Sequence, residues 1–135
     1  MSIPQMRSAP TIGSRGLSAT WTTLDSAAVV SLRGAVDTDN IGVMLTAIDA
    51  VLAAPVPAVL LDCDLVASWS VRGLEVAVHT AVRATELRRL FAMSGLDQPQ
   101  RELIRRNWPG VPLEPFGYPT ADKALRALTA EITVS

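Results

Sequence analysis

The residues that most constrain the fold are numbers 58–62 (AVLLD), a short and continuously apolar run that ends in an aspartate. Such a run predicts a buried central strand, because a strand covered on both faces needs apolar side chains on both. Pro55 and Pro57 stand just before it and end the preceding segment. The rest of the chain must therefore supply the elements that cover a sheet.

Amphipathic segments lie on both sides of this strand. Apolar residues recur at three- and four-residue spacing over residues 41–52, which predicts a helix that Asp39 or Asn40 caps. The same spacing predicts a second helix that begins after Ser70 and continues to about residue 85. A strand between two helices indicates right-handed crossovers and parallel pairing.

Shorter patterns give the remaining elements. Strands are predicted at residues 19–24, 27–33, 87–93 and 111–116, and helices at 98–107 and 120–132. An Asp25-Ser26 turn would join the first two strands as an antiparallel hairpin. The order β-β-α-β-α-β-α-β-α predicts a single α/β domain with a mostly parallel mixed sheet. Residues 1–17 contain Pro, Gly and Ser without periodicity, which predicts a flexible tail before a domain at 18–135.

Composition excludes several classes of function. A length of 135 residues suits one domain. The net charge of −1 gives no excess of basic residues with which to bind nucleic acid or an anionic membrane surface. Cys63 and His79 are the only residues of their types, so neither a disulfide nor a metal cluster of these residues is predicted. No secretory h-region and no membrane span are visible, and the single cysteine fits a reducing compartment. We expect a cytoplasmic protein, a monomer or weak dimer, with no cofactor.

Three short motifs stand in order along the chain. They are residues 34–37 (GAVD), residues 61–74 with Leu61-Asp62 and SVRGL at 70–74, and residues 120–125 (TADKAL). With their spacing and the element order, they resemble the STAS domain of bacterial anti-sigma-factor antagonists. The resemblance covers residues 27–128 and implies a STAS-like fold. It also implies a protein-interaction domain that binds an anti-sigma factor or a kinase-like regulator and so acts on transcription.

The resemblance places the partner-binding surface at the start of the second helix and at the loop that follows the second strand. Its residues here are Asp37, Trp69, Ser70, Val71, Arg72, Gly73 and Leu74. In regulated relatives a serine at the helix start is phosphorylated, and the alignment puts Val71 at that position. Valine carries no hydroxyl, so the usual phosphorylation switch does not operate there.

Four of these residues keep two interpretations. Trp69 is a packed core residue or an anchor at a binding face, and simple packing is favoured. Ser70 is a helix N-cap or a displaced phosphorylation site, and the pattern favours the cap. Arg72 is a solvated side chain, or it contacts an acidic partner or a phosphate near Ser70. Asp37 is a loop cap or part of the surface that faces the partner kinase.

Single features of the sequence suggest two other functions. A small-molecule or nucleotide sensor would use Arg88, Arg89 and Arg105 to meet an anion, although no nucleotide motif is present. A thiol enzyme would need a reactive Cys63, whereas slow alkylation of this residue is expected. The sequence contains no phosphate loop, no Gly-x-Ser-x-Gly and no metal-ligand cluster, and we expect a non-enzymatic domain.

Overall fold

The fold was examined in a computed structural model, which describes residues 10–24 and 26–134. Within these residues five strands and four α-helices follow one another, with a short 3₁₀ turn before the last helix. They are β1 (Thr11–Ser14), β2 (Leu17–Leu24), β3 (Ala27–Val36), α1 (Ile41–Leu52), β4 (Ala58–Trp69), α2 (Val71–Glu86), β5 (Leu90–Ser94), α3 (Gln98–Asn107), the 3₁₀ turn (Glu114–Phe116) and α4 (Ala121–Val134).

The strands form one sheet in the order β1-β2-β3-β4-β5. The first two junctions are antiparallel, and the last two are parallel. α1 and α2 are the crossovers between the parallel strands, as a parallel pair requires. The predicted fold class, a single mixed α/β domain with a mixed sheet and helices, is confirmed.

Helices cover both faces of the sheet. On one face α1 and α2 bury a large core with side chains such as Leu32, Ile48, Leu61 and Leu74. On the other face α4 covers a smaller cluster around Leu60. β4 thus contributes Leu60 to one core and Leu61 to the other, which explains why its sequence is continuously apolar.

The prediction of a flexible tail over residues 1–17 is wrong from residue 11 onward. Thr11–Ser14 is an edge strand, and a two-residue turn of Arg15 (φ 50°) and Gly16 (φ 85°) leads into β2. Positive φ at both turn residues matches the twist of the two strands. Four residues (TIGS), with one large apolar side chain, are too short an alternation to be recognised as a strand. Residues 1–9, and Asp25 of the predicted turn, lie outside the described residues.

The strand predicted at residues 111–116 is also wrong. This segment is a bend followed by the 3₁₀ turn, and only Tyr118 makes an isolated parallel bridge, to Ser94. The apolar residues that suggested a strand serve packing instead, because Phe116 is fully buried and its ring lies 5.7 Å from that of Phe91. β5 also begins later than predicted, at Leu90, because the chain first turns after α2.

The four predicted helices are confirmed. α3 has the predicted bounds, with Pro99 in its first turn. The hydroxyl of Thr120 accepts a hydrogen bond from the Lys123 N–H (3.3 Å) at the start of α4. Asn40 occupies the N-cap position of α1, but its side chain makes no capping hydrogen bond. Among the described residues, no helix combines the length and the apolar content needed to cross a membrane.

Candidate partner-binding site

Parallel pairing of β3 with β4 brings the predicted site residues together. Val36 lies opposite Trp69 in the register, and the Ser70 N–H donates to the Val36 carbonyl (2.8 Å). Asp37 follows Val36 directly, so its loop lies beside the start of α2. We use the name candidate surface for Asp37 together with residues 69–74.

Asp37 shapes the loop in which it lies. Its Oδ1 accepts hydrogen bonds from the backbone N–H groups of Asp39 (2.9 Å) and Asn40 (3.3 Å). In return, the Asp37 N–H donates to Asn40 Oδ1 (2.9 Å). The loop-cap interpretation of Asp37 therefore has a structural basis, and the residue is exposed at the same time.

Asn40 is a site residue whose role the sequence did not reveal. It is only 2% exposed, and its amide nitrogen donates to the carbonyls of Arg15 (3.1 Å) and Ala35 (2.8 Å). These bonds fasten the β1–β2 turn to the loop that carries Asp37. Arg15 is thereby placed at the margin of the candidate surface, with its guanidinium 4.0 Å from the Asp39 carboxylate. An asparagine before a helix gives no sequence signal beyond capping, because its partners lie far away in the chain.

Ser70 is the N-cap of α2. Its backbone is extended (φ −80°, ψ 159°), and its hydroxyl oxygen accepts a hydrogen bond from the Gly73 N–H (3.1 Å). This bond satisfies one of the free N–H groups at the helix start. The N-cap interpretation is confirmed, and the hydroxyl of Ser70 is half-buried and engaged.

The first two residues of α2 both face solvent. Val71 is 54% exposed, which places it among the most exposed large apolar side chains of the described residues. Arg72 is also exposed, and its Nη1 lies 3.1 Å from Glu75 Oε1 on the same helix. The ion pair agrees with a solvated Arg72, and it leaves Val71 as the apolar centre of the candidate surface.

The remaining residues of the candidate surface hold the helix against the sheet. Leu74 is fully buried. A Cβ on Gly73 would lie 2.5 Å from Val36 Cγ1 and 3.1 Å from Trp69 Cε3, so only glycine permits this approach. Trp69 is half-buried against the main core, and its buried indole Nε1 makes no hydrogen bond within the described residues.

Other candidate residues lie away from this surface. Cys63 is fully buried, and burial, together with the carboxylates of Asp62 and Asp64, raises the pKa of its thiol. His79 is exposed on α2. No group of three His, Cys, Asp or Glu side chains that could hold a metal ion occurs in the part of the chain that the structure describes.

The three arginines of the predicted anion site are not brought together. Arg88 and Arg89 line a cavity at the end of α2, and Arg89 Nη1 donates to the Leu52 carbonyl (2.7 Å). Arg105 lies on α3 and pairs with Glu102, and the hydrogen bond between them lowers the pKa of the Glu102 carboxyl. Arg105 therefore lines a different part of the surface from Arg88 and Arg89.

Comparison with known proteins supports the fold. No protein-family model matches the chain. No curated protein matches it by sequence. Among solved structures, the crystal structure of an anti-sigma factor antagonist from Mycobacterium paratuberculosis superposes with a TM-score of 0.70 at 25% sequence identity. The match covers 84% of this chain and 94% of the other.

The structure is that of a small mixed α/β domain. Its features are the strand order β1-β2-β3-β4-β5, the crossover helices α1 and α2, and the pairing of the ends of β3 and β4. Within that class the chain has the STAS-type fold of an anti-sigma-factor antagonist.

Proposed function

We propose that the chain is a non-enzymatic, cytoplasmic interaction domain that binds an anti-sigma factor or a related kinase-like regulator through the candidate surface. The first support is the likeness to an anti-sigma factor antagonist, which extends over nearly all of that protein. The second is the arrangement of the surface itself, where an exposed apolar residue stands at a helix start that is rigidly held by its cap and by Gly73.

The observation that carries the proposal is the exposure of Val71. An apolar side chain that is 54% exposed beside a half-buried tryptophan is typical of the centre of a protein–protein contact. A serine at this position would offer a phosphate to the free N–H groups of the helix start. Valine removes that possibility, and in this proposal the domain stays permanently in a form that resembles the unphosphorylated one.

The test is binding to the anti-sigma factors of the native host, measured by calorimetry with purified proteins. Val71→Asp should abolish the interaction, because it places a carboxylate where a phosphate would stand. The change should leave the fold intact, since a negative charge is favourable in the first turn of a helix. Leu45→Asp, on the exposed side of α1 (37% exposed), is the matched control and should bind as the wild type does.

Phosphorylation supplies a second test. Val71→Ser should become a substrate of the partner kinase, whereas the wild type should carry no phosphate at Ser70 in intact-mass and peptide analysis. A wild-type chain that binds none of the host's anti-sigma factors would refute the proposed function. A phosphate on Ser70 would instead refute the claim that the domain is not switched.

A further inference from the structure

A cavity of about 610 Å³ lies at the C-terminal end of α2. It lies between the last turns of α2, the start of β5 and the segment 110–115 that precedes and enters the 3₁₀ turn. α2 begins at the candidate surface and ends at this cavity, so the two sites lie at opposite ends of one helix. Its volume falls within the range of small-molecule sites, about 300–1,000 Å³.

The walls of the cavity are mainly apolar. Val82, Leu90, Phe91, Val111 and Pro112 line it. Val82 is 43% exposed, although it stands on a helix whose other apolar side chains are largely buried. A concave and apolar surface of this kind favours the body of a small apolar molecule.

Four charged residues, two arginines and two glutamates, stand at the rim. They are Glu86, Arg88, Arg89 and Glu131. The Glu86 carboxylate disfavours a ligand with several negative charges, such as a nucleotide, because like charges repel each other. Since the Arg89 guanidinium is bound to the Leu52 carbonyl, the Arg88 guanidinium is the cation that remains for a ligand, which suits a single negative charge.

Arg88 occupies a position where glycine is the usual residue. It follows the last turn of α2 with φ 60°, and its N–H donates to the Thr85 carbonyl (2.9 Å). Helices commonly end on a glycine in this left-handed conformation, because a side chain strains it. Among the described residues the guanidinium of Arg88 makes no hydrogen bond or ion pair, whereas that of Arg89 is bound to the Leu52 carbonyl. A strained position that holds an unpaired cation at a cavity indicates a ligand-binding role.

We propose that this cavity binds a small molecule with an apolar body and one carboxylate, and that the carboxylate pairs with Arg88. This site is independent of the proposed partner surface. It is lined by none of the residues of that surface.

Titration of the full chain with decanoate, followed by amide NMR shifts, tests the proposal. The shifts should be confined to the last turns of α2, the start of β5 and residues 110–115. Decanol, which lacks the carboxylate, and Arg88→Gln should each bind at least about tenfold more weakly. Arg126→Gln, on the exposed side of α4, is the charge control and should bind normally.

Two further variants separate binding from folding. Val82→Trp should fill the cavity and abolish binding, whereas Leu45→Trp, an exposed apolar position outside the cavity, should not. Arg88→Gly should raise the melting temperature by about 4 °C, because it relieves the left-handed strain, and yet weaken decanoate binding. Absence of shifts at millimolar decanoate, shifts elsewhere, or equal binding by decanol would overturn the proposal.

Discussion

Gly73→Ala is expected to destabilise the protein even though alanine is the better helix former. The added methyl would lie 2.5 Å from Val36 Cγ1, whereas carbon atoms in contact prefer 3.5–4.0 Å, so a displacement of about 1 Å is needed. Val36 is only 1% exposed and β-branched, and it has little freedom to move. Overpacking of this kind costs about 1–3 kcal/mol, and helix propensity returns up to about 1 kcal/mol. Because Val36 has little room to move, we expect an overpacking cost in the upper part of that range, and the free energy of unfolding should fall by about 1–2 kcal/mol net.

Urea unfolding, followed by tryptophan fluorescence and circular dichroism, measures this change. Gly42→Ala is the matched control. Gly42 lies in α1, and no atom would come within 4 Å of its added Cβ, so this variant should gain up to about 1 kcal/mol.

A double mutant tests the cause. In a Val36→Ala background the 2.5 Å clash disappears and the 3.1 Å approach to Trp69 Cε3 remains, so Gly73→Ala should cost much less there than in the wild type. A Gly73→Ala variant as stable as the wild type would refute this steric cause. So would a loss of stability that persists in full when Val36 is alanine.

Three other perturbations follow from single contacts. Asn40→Ala should lower the free energy of unfolding by about 2–3 kcal/mol, because two backbone carbonyls lose their donor and the Asp37 N–H loses its acceptor. Urea unfolding measures this loss, and a loss below about 0.5 kcal/mol would contradict the prediction. Ser70→Ala should cost about 1 kcal/mol by removal of the N-cap, with Ser70→Thr, which keeps the hydroxyl, as the control. Burial raises the pKa of the Cys63 thiol above its ordinary value of 9.0, so as the pH rises the thiol is deprotonated in the unfolded chain before it is in the folded one. Above pH 9 the free energy of unfolding should therefore fall by up to about 1.4 kcal/mol per pH unit. Cys63→Ala should lack that component of the pH dependence, and rapid alkylation of Cys63 in the folded protein would refute its burial.

The sequence predicted the elements whose signals are local. The helices at 71–86 and 98–107 follow from periodicity with Ser70 and Pro99 at their starts, and the structure agrees. The buried strand follows from its unbroken apolar run, because both of its faces are covered. β1 and the segment at 111–116 were predicted wrongly, since a short edge strand and a packed loop have no period of their own.

The sequence predicted which residues belong to the candidate surface, but the residues alone did not show how they come together. Asp37 and Ser70 are 33 positions apart, and their proximity follows from the parallel register of β3 with β4. Asn40 appeared to be a helix cap, but its amide holds the β1–β2 turn.

By itself the sequence determined the fold class, the helix starts and the absence of a hydroxyl at Val71, because these depend on residues close together in the chain. Only the tertiary structure decided which side chains remain exposed. It buries Leu74, exposes Val71 and separates Arg88 from Arg105, which lines a different part of the surface. The physical reason is that exposure depends on which elements pack against each other, and that packing joins residues that no local pattern connects.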